Sequence, residues 1–211
     1  MDKPFRKKIQ KELDQELKIL GFKKKGYFYY CTKDKDSSLI IHVGGRRSYE
    51  KGKVILSVSV GVAIHSVNEL YIKLTECQDN PYVSIYIPIV RKNMGYIMPQ
   101  NDYREWYFEE NSYVEQTFAE LVEAIKTYAF QYYEDRCDIR KIEYYVKETN
   151  EVITKIARDE YYPIILYLSN KKDDAVRYIK YVVNNNQYVG LEKGYYNNFA
   201  EKFLQIDNLY K

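Results

Sequence analysis

Residues 53–64 read Lys-Val-Ile-Leu-Ser-Val-Ser-Val-Gly-Val-Ala-Ile, and this stretch decides the fold. Val54, Leu56, Val58, Val60, Val62 and Ile64 occupy every second position. In an extended chain successive side chains point to opposite faces, so these six share one face. Ile55, Ser57, Ser59, Gly61, Ala63 and then His65 fall on the other. A helix would scatter this pattern around its circumference. Strict alternation in β-branched residues specifies a strand with one apolar face.

The preceding run, 39–48, continues the pattern with Leu39, Ile41 and Val43. If both apolar faces are buried together, the pairing of the hairpin is fixed: Val43 beside Val58, and His42 beside Ser59. Upstream, Tyr27–Thr32 is an aromatic strand. Downstream, 82–91 alternates Val83, Ile85, Ile87 and Ile89, with Pro88 confining it to an edge or a bulge because proline has no N–H. A further strand is predicted over 103–109 around Trp106. Together these make an antiparallel sheet of four to five strands.

Helices account for the rest. Phe5, Ile9, Leu13, Leu17 and Leu20 form one apolar stripe at helical spacing, and Gly21 follows as a left-handed stop. Lys23, Lys24 and Lys25 then read as a solvated connector, with Gly26 releasing the chain into the next strand. Ser66–Glu69 and Ser112–Glu115 have the spacing of capping boxes. Phe118, Leu121, Val122 and Ile125 carry a helical period onward, and further helices are predicted from Asp138, over 151–168, from Asp173 and over 195–209. The fold class is α+β: an N-terminal helix and antiparallel sheet packed with helices over 1–135, then a helical C-terminal region over 136–211, packed on it or projecting from it.

Composition narrows the chemistry. The 211 residues carry a net charge of +3, too mild to demand a polyanionic partner. The three cysteines, Cys31, Cys77 and Cys137, are odd in number and widely spaced, which argues for reduced thiols and a cytoplasmic location. The longest apolar run, 161–168, is too short to span a bilayer, so no membrane association is expected. The 25 tyrosines stand beside a single tryptophan. They fit either an AT-rich genome or selection for stacking surfaces whose hydroxyls stay wet. Two histidines, on different strands, give no nucleophile–base pair, and no metal-ligand or cofactor motif is present.

The reverse side of the sheet supplies the candidate binding residues. His42, Arg46, Ser57, Ser59, Tyr82, Ser84 and Tyr86 should lie there, with Gly61 and Ala63 between them. Small residues flanked by tyrosines and an arginine make either a floor for a closely packed helix or an open platform. Because the helices after 112 need apolar cover, the floor is the expected arrangement. Arg47, with Lys23, Lys24 and Lys25, is the candidate anion contact, since free guanidinium and ammonium groups bind oxyanions.

Three segments carry a family resemblance. Leu20–Tyr30 reads Leu-Gly-Phe-Lys-Lys-Lys-Gly followed by aromatics. Val54–Val62 is the alternating strand. Arg91–Pro99 reads Arg-Lys-Asn-Met-Gly-Tyr-Ile-Met-Pro and is followed by Trp106 and a long helix. In this order they resemble an uncharacterised bacterial family, the domain-of-unknown-function family 4304, over about residues 5–150. Members often carry a glutamine-containing segment where this chain has Val43–Ser48. The resemblance implies the fold and no activity.

The function expected from these readings is a non-enzymatic protein-binding module of the immunity or inhibitor kind, motivated by the tyrosine content. The alternative is a binder of single-stranded nucleic acid, its lysines and arginines tracking phosphates while tyrosines stack on bases. A third reading is an enzyme assembled around His42, Arg46 and Tyr86.

Overall fold

A computed structural model of the chain describes residues 3–26, 28–46, 52–80, 83–110, 112–152, 154–185 and 188–206. The chain divides into two units, Met1–Val62 with Arg91–Cys137, and Ala63–Val90 with Asp138–Lys211.

In the first unit the alternating stretch is strand β4, Lys53–Ile64, whose last two residues pass into the second unit. Its six alternate aliphatics are all buried, between 0% and 7% exposed. The strands before it are β1 (Lys23–Lys25), β2 (Phe28–Thr32) and β3 (Ser37–Arg46); those after it are β5 (Val90–Asn93) and β6 (Glu105–Glu109). The sheet runs β1-β2-β3-β4-β5, with β6 also paired to β4. A β-carbon built on Gly44 would lie 3.7 Å from the Ser57 carbonyl, one step along from the expected Val43–Val58 neighbours.

Helix α1, Lys3–Ile19, buries Phe5, Ile9, Leu13 and Leu17 at 4% exposure or less. It ends as its sequence requires. Gly21 has φ +88°, the Phe22 N–H donates to the Leu17 carbonyl and the Gly21 N–H to that of Lys18. This is the paired hydrogen bonding of a Schellman stop, which satisfies carbonyls the helix leaves open. Phe22 then turns inward to Phe130, ring centres 6.0 Å apart.

The three lysines after it are a strand, not a connector. Gly26, at φ +59°, reverses the chain, so that Lys23, Lys24 and Lys25 pair with Tyr30, Tyr29 and Phe28. Their side chains stay exposed. The sheet thus has six described strands rather than four to five.

Helix α3, Val114–Ala124, packs on the aliphatic face, where Phe118 meets Phe108 at 4.7 Å between ring centres. The expectation that it covers the reverse face is corrected. Phe108 pairs with Val54 and Trp106 with Leu56, so the apolar side of the sheet extends onto β6 and is the better site for an apolar helix face. A five-residue π turn, Ile125–Ala129, leads into α4, Phe130–Glu134.

The second unit holds helices α2 (His65–Thr75), α5 (Ile139–Glu148), α6 (Lys155–Leu168), α7 (Lys172–Asn184) and α8 (Gly190–Leu204). Consecutive helices from α5 onward pack on one another, and α2 packs on α6 and α8. Neither predicted capping box forms. The N-cap of α2 is Ile64, two residues before Ser66, and that of α3 is Tyr113, one residue after Ser112, each without a side-chain cap. Asp138 does cap α5, accepting from the Arg140 N–H, and Thr154 caps α6. The predicted strand over 82–91 is also corrected. Residues 83–89 are irregular, with a turn at Ile85–Tyr86, and strand begins only at Val90 and runs to Asn93. The Asn68 amide donates to the carbonyls of Ile85 (2.9 Å) and Ile87 (2.8 Å), which a ladder would otherwise use. Residues 63–90 therefore cluster with the C-terminal helices, and the division is not a single cut after 135.

Tyrosines in this unit serve buried acids. Asp159 and Glu160 are 3% and 2% exposed. Asp159 accepts hydrogen bonds from the Tyr178 and Tyr188 hydroxyls, each at 2.6 Å, while Tyr196 donates to its backbone carbonyl. Tyr195 and Tyr71 donate to Glu160.

Candidate functional site: a tyrosine-bearing sheet face

The reverse face of the first unit's sheet is built around Ser57. Antiparallel pairing of β4 with β6 sets Ser57 opposite Glu105 and Ile55 opposite Tyr107, so Glu105 and Tyr107 project on the same side as Ser57. From β5, the Asn93 amide donates to Ser57 Oγ at 3.3 Å. The other end of that amide accepts from the Gly95 N–H (2.9 Å) and the Arg104 N–H (3.1 Å). One side chain thereby ties the turn after β5 to the entry of β6. The chain passes closely here: a β-carbon on Gly95 would sit 2.1 Å from the Asp102 carbonyl oxygen.

This crossing delivers Tyr103 to the face. Its hydroxyl lies 3.2 Å from both Ser57 Oγ and Glu105 Oε1. The Tyr107 hydroxyl donates to Glu105 Oε2 at 3.0 Å. One carboxylate therefore holds two tyrosines, each more than half exposed at 51% and 54%. Tyr96 stands next to Tyr103, with ring centres 6.5 Å apart.

Further along the face His42, half-buried, pairs with Phe28 across the strands, their rings 5.2 Å apart. Burial lowers the His42 pKa, and the positive charge of Arg91 lowers it further. The imidazole is thus neutral at pH 7. Burial also lowers the pKa of Arg91, which keeps its charge. Ser59 is half-buried on the same alternation.

The face so described contains His42, Ser57 and Ser59 of the predicted set. The side chain of Arg46, together with Arg47 and Tyr82, lies outside the described residues. Ser84 and Tyr86 are corrected: they sit in the irregular segment 83–89 of the second unit. Ser84 Oγ accepts from the Tyr86 N–H at 3.1 Å, and the Tyr86 ring packs edge-on to His65 at 5.4 Å. Tyr103 and Tyr107 lie on the face instead, and Arg91, Asn93 and Glu105 join them. The alternation of Glu105 and Tyr107 with Trp106 and Phe108 was the available signal. Nothing local says that this run pairs with Ser57.

Among the candidate anion contacts, Lys23 and Lys25 lie exposed on β1, with the Lys24 ammonium bonded to Asp14 at 2.9 Å and held 5.3 Å from the centre of the Tyr29 ring. Burial would raise the Asp14 pKa, but hydrogen bonds from Tyr29, Lys24 and Gln10 hold it below the usual carboxylate range. Lys24 is thus engaged within the unit.

A family model described as domain of unknown function (DUF4304) matches residues 13–135. The chain belongs to the DUF4304 family. No curated protein and no solved structure matches it. The DUF4304 segment begins inside α1 and closes after α4, so it contains the whole tyrosine-bearing face and stops short of α5 to α8. Among the described residues no helix is long and apolar enough to cross a membrane.

Proposed function

We propose that this DUF4304 chain is a non-enzymatic protein-binding module, of the immunity or inhibitor kind, whose docking surface is the face carrying Tyr103, Tyr107 and Glu105. The observation that carries the reading is the shared carboxylate: two tyrosine rings are presented to solvent while their hydroxyls are held on Glu105. A tyrosine held in place loses little side-chain freedom on association, and large amphipathic rings dominate binding energy at interfaces. Around them Ser57 and Asn93 supply a polar surround, and the neutral His42 adds an aromatic ring without a second cation beside Arg91. The cysteines Cys31, Cys77 and Cys137, none of them in a disulfide, fit a cytoplasmic setting for this partnership.

The test is affinity capture from the source organism with the full chain and with a Tyr103→Ala/Tyr107→Ala variant. The wild-type chain should retain a partner in stoichiometric amount, and the double variant should bind it at least about a hundredfold more weakly. Recovery of no stoichiometric partner, or equal recovery by both proteins, overturns the proposal.

A further inference from the structure

Away from that face, the first unit has a groove of about 990 Å³ between α1 and α3. Its floor is apolar: Phe118 and Val122 reach it from α3 while only 7% and 8% exposed, and Val114 lines it higher up. At its mouth stands Tyr113, 80% exposed. Five glutamates line it, Glu12, Glu16, Glu110, Glu115 and Glu123. Among the described residues the basic lining residues are two, Lys8 and Lys126, and Lys8 lies 4.0 Å from Glu12. A negative groove thus stands on a chain whose net charge is +3.

The character of the rim selects the occupant. Glu12 and Glu16 are one helical turn apart on α1, and Lys8 lies near Glu12 alone, so the α1 wall presents negative charge to an occupant. A metal ion is not the cation that fits, since among the described residues no three acidic, histidine or cysteine side chains converge closely enough to hold one. The carboxylates are instead spread along both walls. Charges spaced along an apolar trough match a segment with spaced charges and an apolar stripe, which is the form of an amphipathic basic helix. We infer that the groove between α1 and α3 is a docking site for a lysine- or arginine-rich amphipathic helix of a partner protein. This goes beyond the tyrosine-bearing face and does not depend on it.

Fluorescence anisotropy with a labelled helical peptide of leucine and lysine, about 18 residues long, tests the site on the full chain. A peptide with glutamate in place of lysine is the control. The basic peptide should bind at low salt and the acidic one should not. Glu16→Lys with Glu123→Lys should weaken binding about tenfold or more, whereas the equal charge change Glu192→Lys with Glu201→Lys on α8 should change it less than about twofold. Loss by both variants alike, binding of the acidic peptide, or no binding of the basic one overturns the inference. Amide NMR shifts of Ala119 and Val122 in the unaltered chain give a reading free of any folding defect. They must move on addition of the basic peptide, and their constancy overturns the inference equally.

Discussion

At the scale of single residues, the sheet face depends on which groups carry charge. His42 is held neutral first by burial and then by Arg91. Because its pKa in the folded chain lies below the reference 6.5, the unfolded chain binds the proton more readily. The contribution of His42 to stability is therefore complete above pH 6.5 and is lost as pH falls through the folded value. An NMR titration should show the His42 ring titrating below 6.5, and Arg91→Gln should move its midpoint upward. An unchanged midpoint in that variant would contradict the placement of the two side chains. With two histidines in the chain, the signal is assigned by His42→Gln. At this scale the sequence was informative where alternation alone fixes a side chain's direction, as for His42, Ser57 and Ser59. It was silent on Asn93, because its role depends on hydrogen-bonding Gly95 and Arg104 and reaching Ser57 on another strand.

At the scale of elements, local signals succeeded where the cause is local. The stripe of α1, its glycine stop and the alternation of β4 each follow from the preferences of contiguous residues. They failed where a distant group competes. The run 83–89 alternates like a strand, yet Asn68 takes two of its carbonyls. Ser66 has capping spacing, yet His65 already lies inside the helix, buried against Tyr86. The turn at Gly95 belongs to this scale too. The neighbour a β-carbon would strike is backbone, the Asp102 carbonyl, which cannot swing aside. Gly95→Ala should destabilise the protein by about 2 kcal/mol or more in urea unfolding. It should also loosen Tyr103, seen as a loss of near-ultraviolet circular dichroism. A stability within experimental error of wild type would mean that the chain does not cross so closely there.

At the scale of the whole molecule, the abundance of tyrosine has two structural uses: exposed rings on the first unit, and donors to buried acids in the second. Glu160 shows the consequence. Burial pushes its pKa up to about 7, against the hydrogen bonds from Tyr195 and Tyr71. The folded chain then holds a proton that the unfolded chain releases near 4.5, so stability falls as pH rises from 4.5 to 7. The loss at pH 8 is on the order of 3 kcal/mol. Glu160→Gln, neutral at every pH and still able to accept from both tyrosines, should raise the thermal midpoint at pH 8 and converge with wild type at pH 5. A variant that melts lower at both values would show that the carboxylate is needed in its charged form. The sequence marks a change of texture near residue 112 and carries no sign that 63–90 joins the later helices, because that membership is decided by contacts of α2 with α6 and α8. This threading has a consequence for biosynthesis. On the ribosome the first unit has all its residues once Cys137 has emerged, whereas α2, with Val67, Leu70 and Leu74 destined for burial, must wait for α6 and α8 to be made. At ordinary elongation rates that interval is on the order of ten seconds, during which an apolar loop hangs from an otherwise finished body as a natural client for chaperones.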